Sequence, residues 1–380
     1  MIRIFKISLL IILIFISGCA KSIISLALSD DKKAIPMFGK IPSRDFYYDV
    51  NMSDSLKLVW ENSTYGGFNN SSPVVYDSML FIGDLGGRIY CFDSRSGNQI
   101  GLLRTKGSIY SSPIVFKNKI IYALCEANSE NTYLVYYDFL NSVERASIII
   151  EGLVLSQMLK DKNDIILCTE NGKIMKYTSE GKLVWDIASN SKIQSNPALI
   201  GNKIIVGNNI GEILFADSET GKLIKKIKMG SAFYSGVTVD SNTAYIGDDN
   251  GTLYAINVND EKLIWEFKTG YRILMNPAVD DEFVYIGNLK GDLYALNKQS
   301  GKLIWKSEIG GILNSTPLIT KNRIVINNLL QSFFILDKKD GEINKKIELD
   351  GRGKLSPILI NNKIIIGYDD GNLSAYEIVF

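Results

Sequence analysis

Along most of this chain the apolar residues fall in runs of four to six, rich in Val, Ile, Tyr and Phe and separated by Gly, Asn, Asp and Ser. Such runs read as short strands joined by tight turns. In the stretch opening at Pro277, strands are predicted over residues 277–280, 283–287, 292–297 and 303–307. Turns such as Asp248-Asp249-Asn250-Gly251 and Gln299-Ser300-Gly301 supply a glycine for positive φ. No stretch keeps the helical period long enough to matter, so an all-β chain is predicted.

The strands recur in one phase. Ser72-Pro73, Ser112-Pro113, Asn196-Pro197, Asn276-Pro277, Thr316-Pro317 and Ser356-Pro357 are separated by 40, 84, 80, 40 and 40 residues. Ser156-Gln157-Met158 and Ser235-Gly236-Val237 fill the two double gaps, which makes eight units. Glycines 87, 172, 211, 251, 291 and 371 register with the prolines, as do Leu183-Val184-Trp185, Leu263-Ile264-Trp265 and Leu303-Ile304-Trp305. Repeats of this length built from four strands cannot bury their faces alone and stack radially, so the expected fold is an eight-bladed β-propeller of four-stranded antiparallel blades. Proline suits the first strand because the innermost strand is an edge.

The chain ends test the closure. Only three strands follow Pro357, and the missing fourth lies at residues 56–60, where Trp60 precedes Pro73 by 13 residues while Trp185, Trp265 and Trp305 precede their prolines by 12. Blade eight is therefore predicted to be closed by the N-terminal strand. Trp60, Trp185, Trp265 and Trp305 are expected to dock on the neighbouring blade. Gly101, Ala146, Lys225 and Lys345 hold that place elsewhere, where the junctions should be less well filled. The second unit is longer than the others, with a polar insertion expected at 126–131.

Before the repeats, Arg3 and Lys6 precede an apolar run over residues 7–16 that is too short to span a bilayer. Ser17-Gly18-Cys19 then resembles the lipobox of bacterial lipoproteins, which implies cleavage before Cys19 and acylation of its thiol. Two or more acyl chains suffice for stable anchoring. Ala20 stands where an Asp retains enteric lipoproteins in the inner membrane, which favours the outer one by resemblance. The domain organisation expected is a signal peptide over 1–18, a lipidated N-terminus and tether over 19–54, and the propeller over 55–380.

Composition removes much of enzymology. The chain has no histidine, which excludes Ser-His-Asp and Cys-His catalysis, imidazole zinc sites and CxxCH haem attachment. Without the first 18 residues the balance is 40 Lys+Arg to 41 Asp+Glu, with no basic run for a nucleic acid. Cys91, Cys125 and Cys168 form no CxxC or adjacent pair and read as buried thiols. Asp248–Gly251 and Asp369-Asp370-Gly371 lack the alternate oxygens and distal Glu of a calcium loop, and Gly83-x-x-Gly86-Gly87 opens no helix, so both read as turns. No catalytic residue, metal ligand or cofactor is assigned.

The pattern of glycine, Tyr-Ala-Leu-Asn, a Gly-Lys turn and Leu-Ile-Trp resembles the tryptophan-docking repeat of pyrroloquinoline-quinone (PQQ) type propellers. With Cys19, eight units and split closure, it resembles the BamB family. That resemblance implies a non-enzymatic scaffold at the outer membrane, facing the periplasm, monomeric within a complex and docked on the periplasmic domains of BamA. It places the contact in loops leading into blades four and five, here Ser191-Lys192-Ile193-Gln194 and Ala232-Phe233-Tyr234. Lys192 stands in for the family's arginine, whereas the family's acidic residues are missing. Partner-binding candidates are accordingly Lys192, Ile193, Phe233 and Tyr234, with Tyr271 and Arg272 one blade on. Two alternatives share the fold: a lipoprotein propeller binding another envelope protein or a glycan, and a quinoprotein dehydrogenase, whose vicinal cysteine pair this chain lacks.

Overall fold

A computed structural model describes residues 23–24 and 34–380. Eight antiparallel sheets follow one another round an axis, each a meander from the centre outwards, and the sole helical turn among the described residues is a 3-10 turn at Asp369–Gly371. Blade six shows the plan: Ala278–Val279 innermost, then Phe283–Gly287, Asp292–Asn297 and, at the rim, Leu303–Glu308. Blade eight takes three strands from the C-terminus and its outermost strand, Leu56–Ser63, from the N-terminal side, with Leu56 opposite Ile378 and Ser63 opposite Asn372. The repeat thus predicts both the blade number and the closure found. In blade two the extra residues lengthen the outer strands, Asn131–Asp138 and Val143–Glu151, around a short turn.

The meander gives the disc two different faces. One carries the turns within blades that join the first strand to the second and the third to the fourth; we call it the turn face. The other, the loop face, carries the turns between second and third strands and the longer loops that pass to the next blade. The second and third strands are buried on both sides, as in Phe215 and Ile205, and account for most of the apolar core between blades.

Each tryptophan crosses a seam between blades. The indole Nε1 of Trp60, Trp185, Trp265 and Trp305 donates to the carbonyls of Ser94, Ser218, Lys298 and Lys338 in the next blade, at 3.2, 3.0, 3.0 and 3.0 Å. Its ring lies flat on Gly97, Gly221, Gly301 or Gly341, where an added Cβ would come within 2.5 to 2.7 Å of the indole. These glycines also sit at φ between 68° and 76°, so two separate constraints select the same residue. The seam between blades one and two lacks a tryptophan but is not empty. Ile24, fully buried, fills the space over Gly101, while its N–H donates to Tyr137 Oη at 3.1 Å and its carbonyl accepts from the same hydroxyl at 3.1 Å.

Residues 34–54, expected on composition to belong to a tether, lie against the propeller. Ala34 and Ile35 pair antiparallel with Tyr76 and Val75 on the channel side of blade one. The segment then turns inside the channel and leaves beside blade seven, where the Lys321 N–H donates to the Val50 carbonyl and the Met52 N–H to Asn322 Oδ1. Both ends emerge on the turn face. Composition misled here because, beside the buried side chains of Ile35, Met37, Phe38, Phe46 and Met52, much of the contact is made by main-chain carbonyls, which every residue type carries. Cys19 and the signal peptide lie outside the described residues.

Candidate partner-binding face

The loop face gathers the candidate residues, and repeat position decides which of them reach solvent. Ile193 and Phe233 occupy the same place in their units as Ile273 and Leu313, and all four are fully buried. Phe233, Ile273 and Leu313 press on glycines of second strands, Gly207, Gly247 and Gly287, and Phe233 also meets Tyr254 edge-on at 6.1 Å. Ile193 and Phe233 are therefore core anchors of their loops and offer no surface to a partner. The buried neighbours with which they share a repeat position were a signal available in the sequence.

The other candidates stand at the surface. Lys192 is paired with Glu170 Oε1 at 2.7 Å, and this hydrogen bond raises its pKa, so it stays charged. It borders a hollow of about 330 Å³ shared with Glu130, Glu151 and Glu170, an acidic rim on blades two and three. Tyr234, Tyr271 and Arg272 come together between blades five and six. Arg272 pairs with Asp249 at 2.6 Å and its guanidinium lies 6.0 Å from the Tyr234 ring, while Lys290 approaches the Tyr271 ring at 5.6 Å. Tyr271 is 52% exposed.

Asp249 and Lys290 escaped the sequence reading, as did Ile210, Ile312 and Leu330, apolar residues 52%, 40% and 64% exposed on the same face. Ile210, Lys290 and Leu330 share one repeat position, the tip of the turn between second and third strands. An apolar residue at a tip is the signal that could have found Ile210 and Leu330. Together these side chains make a strip of aromatic, aliphatic and paired charged groups across blades four to seven. Such a surface suits protein recognition, with Tyr and Arg as anchors.

The axis offers different chemistry. Where residues 34–54 leave a gap beside Ser72 and Ser356, its volume is about 10 Å³, room for roughly one water. Asp248 is spent on its own turn: its carboxylate accepts from the N–H groups of Ser231, Asn250 and Thr252 and from Tyr254 Oη. Among the described residues no three His, Cys, Asp or Glu side chains converge to hold a metal ion. Cys91, Cys125 and Cys168 are free and buried, and burial raises all three pKa values, that of Cys168 to about 12. They are held as thiols, poor nucleophiles at neutral pH.

A family model described as outer membrane protein assembly factor BamB matches residues 209–286 and 272–378. The chain is a BamB-like propeller of PQQ-type repeats. BamB from Moraxella catarrhalis superposes with a TM-score of 0.73 at 16% identity, over 85% of this chain and 100% of that one. Quinohemoprotein alcohol dehydrogenase from Comamonas testosteroni gives 0.75 at 12%, over 90% of this chain and 80% of that one. A europium-containing methanol dehydrogenase gives 0.76 at 11%, over 91% and 98%. No curated protein sequence matches the chain. These likenesses establish the ring; because one fold serves both an assembly factor and dehydrogenases, function has to be argued from the surfaces of this BamB-like chain.

Proposed function

We propose that this chain is a non-enzymatic docking lipoprotein of the outer-membrane β-barrel assembly machinery. Anchored through acylated Cys19 and facing the periplasm, it would present its loop face to the periplasmic domains of a BamA-like protein. The observation that carries this reading is the exposed strip of Ile210, Tyr234, Tyr271, Arg272, Ile312 and Leu330, set on the blades that match the BamB model. The ion pair of Arg272 with Asp249 fixes the guanidinium so that little side-chain freedom is lost on docking. The filled axis supports a non-catalytic role, since the central space is taken by the protein's own main chain.

Affinity capture of the tagged, lipidated protein from detergent-solubilised envelopes tests the proposal. Recovery of the barrel assembly complex with wild type, and its loss with Tyr271→Ala plus Arg272→Glu, is the expected result. Co-purification of a different envelope protein or a glycan, or of a chromophore with dye-linked oxidation, would replace it with one of the alternatives. Cys19→Ala should yield a soluble, folded propeller; if that variant still partitions wholly with membranes, the anchor assignment fails.

A further inference from the structure

The innermost strand of a propeller blade is an edge, and its inward N–H groups need partners. Here one repeat position supplies them. The N–H groups of Val115, Leu199, Val239, Val279 and Ile319 donate to the carbonyls of Pro36, Pro42, Ser43, Asp45 and Phe46, at 2.9, 2.9, 2.8, 3.1 and 3.1 Å. Ile35 meets the equivalent Val75 in the short ladder of blade one. The segment thus touches blade after blade through its main chain, as a bound peptide does in strand addition.

One side chain goes deeper. Arg44 is fully buried and, among the described residues, no carboxylate lies within ion-pair distance of it. It donates from Nε to the Pro197 carbonyl at 2.6 Å, from Nη1 to Phe38 at 2.8 Å, and from Nη2 to Gln157 and Met158 at 3.0 Å each. Its guanidinium lies 5.4 Å from the Phe38 ring, which packs edge-on against Phe46 at 5.2 Å. Burial lowers its pKa to about 9, which leaves it charged at neutral pH. Three of the accepting carbonyls belong to blades three and four, so the ring itself forms a fork-shaped receptor for a guanidinium. The segment holds Lys40, Arg44 and Phe46 at φ of 62°, 62° and 60°, a strained shape kept only by what surrounds it.

We propose that the propeller channel is a peptide-recognition site, that residues 34–50 are its resident ligand, held in cis, and that Arg44 is the residue the site reads. The class of ligand is a turned peptide offering successive carbonyls to the inner strands and one arginine flanked by aromatic rings. Neither the lipid anchor nor the loop-face docking is needed for this reading.

The test starts from the folded full chain, with one protease site inserted before Ala34 and another after the exposed Asn51. Cleavage at both frees the segment covalently. The excised peptide should remain with the propeller through gel filtration and exchange, within a day at elevated temperature, for a fluorescent synthetic peptide 34–50. Peptides carrying Arg44→Ala or Arg44→Lys should compete roughly tenfold more weakly or worse, because each leaves buried carbonyls unpaired. Equal competition by either would overturn recognition of the guanidinium. Failure to exchange, or aggregation of the ring when the peptide leaves, would show the segment to be an inseparable part of the core and overturn the proposal.

Discussion

The seam between blades six and seven and the seam between blades one and two solve one packing problem in two ways. At the first, Trp305 reaches from inside the repeat to the Lys338 carbonyl and lies on Gly341. At the second, the repeat position holds Gly101, and the missing volume is supplied from outside the repeat by Ile24. A periodic sequence need not repeat every contact, provided some other part of the chain delivers an apolar group of suitable size. The cost is a dependence of blades one and two on residues far away in sequence.

Four measurements bear on this contrast, the largest effect first. Trp305→Ala should lower unfolding stability by about 3 to 5 kcal/mol, read from the denaturant midpoint, since it opens a cavity over a glycine that cannot fill it. Ile24→Ala should cost roughly 2 kcal/mol by the same reading. Were it silent, the N-terminal residues would be only resting on the seam; were it equal to Trp305→Ala, the two solutions would be energetically alike.

Alkali should separate the seams by the pH at which each weakens. The seam between blades one and two holds Cys91 in the same core cluster as Ile24, and burial raises the thiol pKa above its ordinary value of 9.0; the seam between blades six and seven packs Tyr285 on Trp305, and burial raises the phenol from 10.0. In both cases the folded state holds its proton longer than the unfolded chain, so the stabilisation is full below the unfolded pKa and is lost as pH rises through the folded one. Stability at pH 10.5 should therefore fall below that at pH 8, and, since Cys125 and Cys168 are also raised by burial, Cys91→Ala should make the decline between about pH 9 and about pH 10 shallower without moving its onset. An unchanged slope in that variant would show that the thiol is not what weakens the seam between blades one and two. The smallest effect is expected on the loop face: Tyr271→Ala with Arg272→Glu should move stability by no more than about 0.5 kcal/mol, which urea titration can check, leaving any loss of capture attributable to binding.

Blade number, closure and strand positions were legible because each rests on side-chain types that must recur every forty residues: proline at an edge, glycine at a turn, apolar runs between. What fills the channel was not. Pro42-Ser43-Arg44-Asp45 looks like solvent-exposed chain, yet its carbonyls and one guanidinium are buried, and hydropathy cannot register hydrogen bonds made by the main chain. The candidate site was half legible. Tyr234, Tyr271 and Arg272 meet on the loop face, whereas Ile193 and Phe233 stand in register with Ile273 and Leu313, and aligning the units at that position marks them as core.

The docking of Ile23 and Ile24 on the rim shortens the leash. Ile23 bridges to Leu102 in the outermost strand of blade one, only four residues beyond Cys19. Four extended residues span at most ~14 Å. If the acyl chains proposed for Cys19 are in place, the bilayer lies within that distance of blades one and two, and the diametrically opposite sectors, five and six, are the part of the disc furthest from the lipid. On that premise Tyr234 and Arg272, which sit there, are held as far from the lipid as the disc allows.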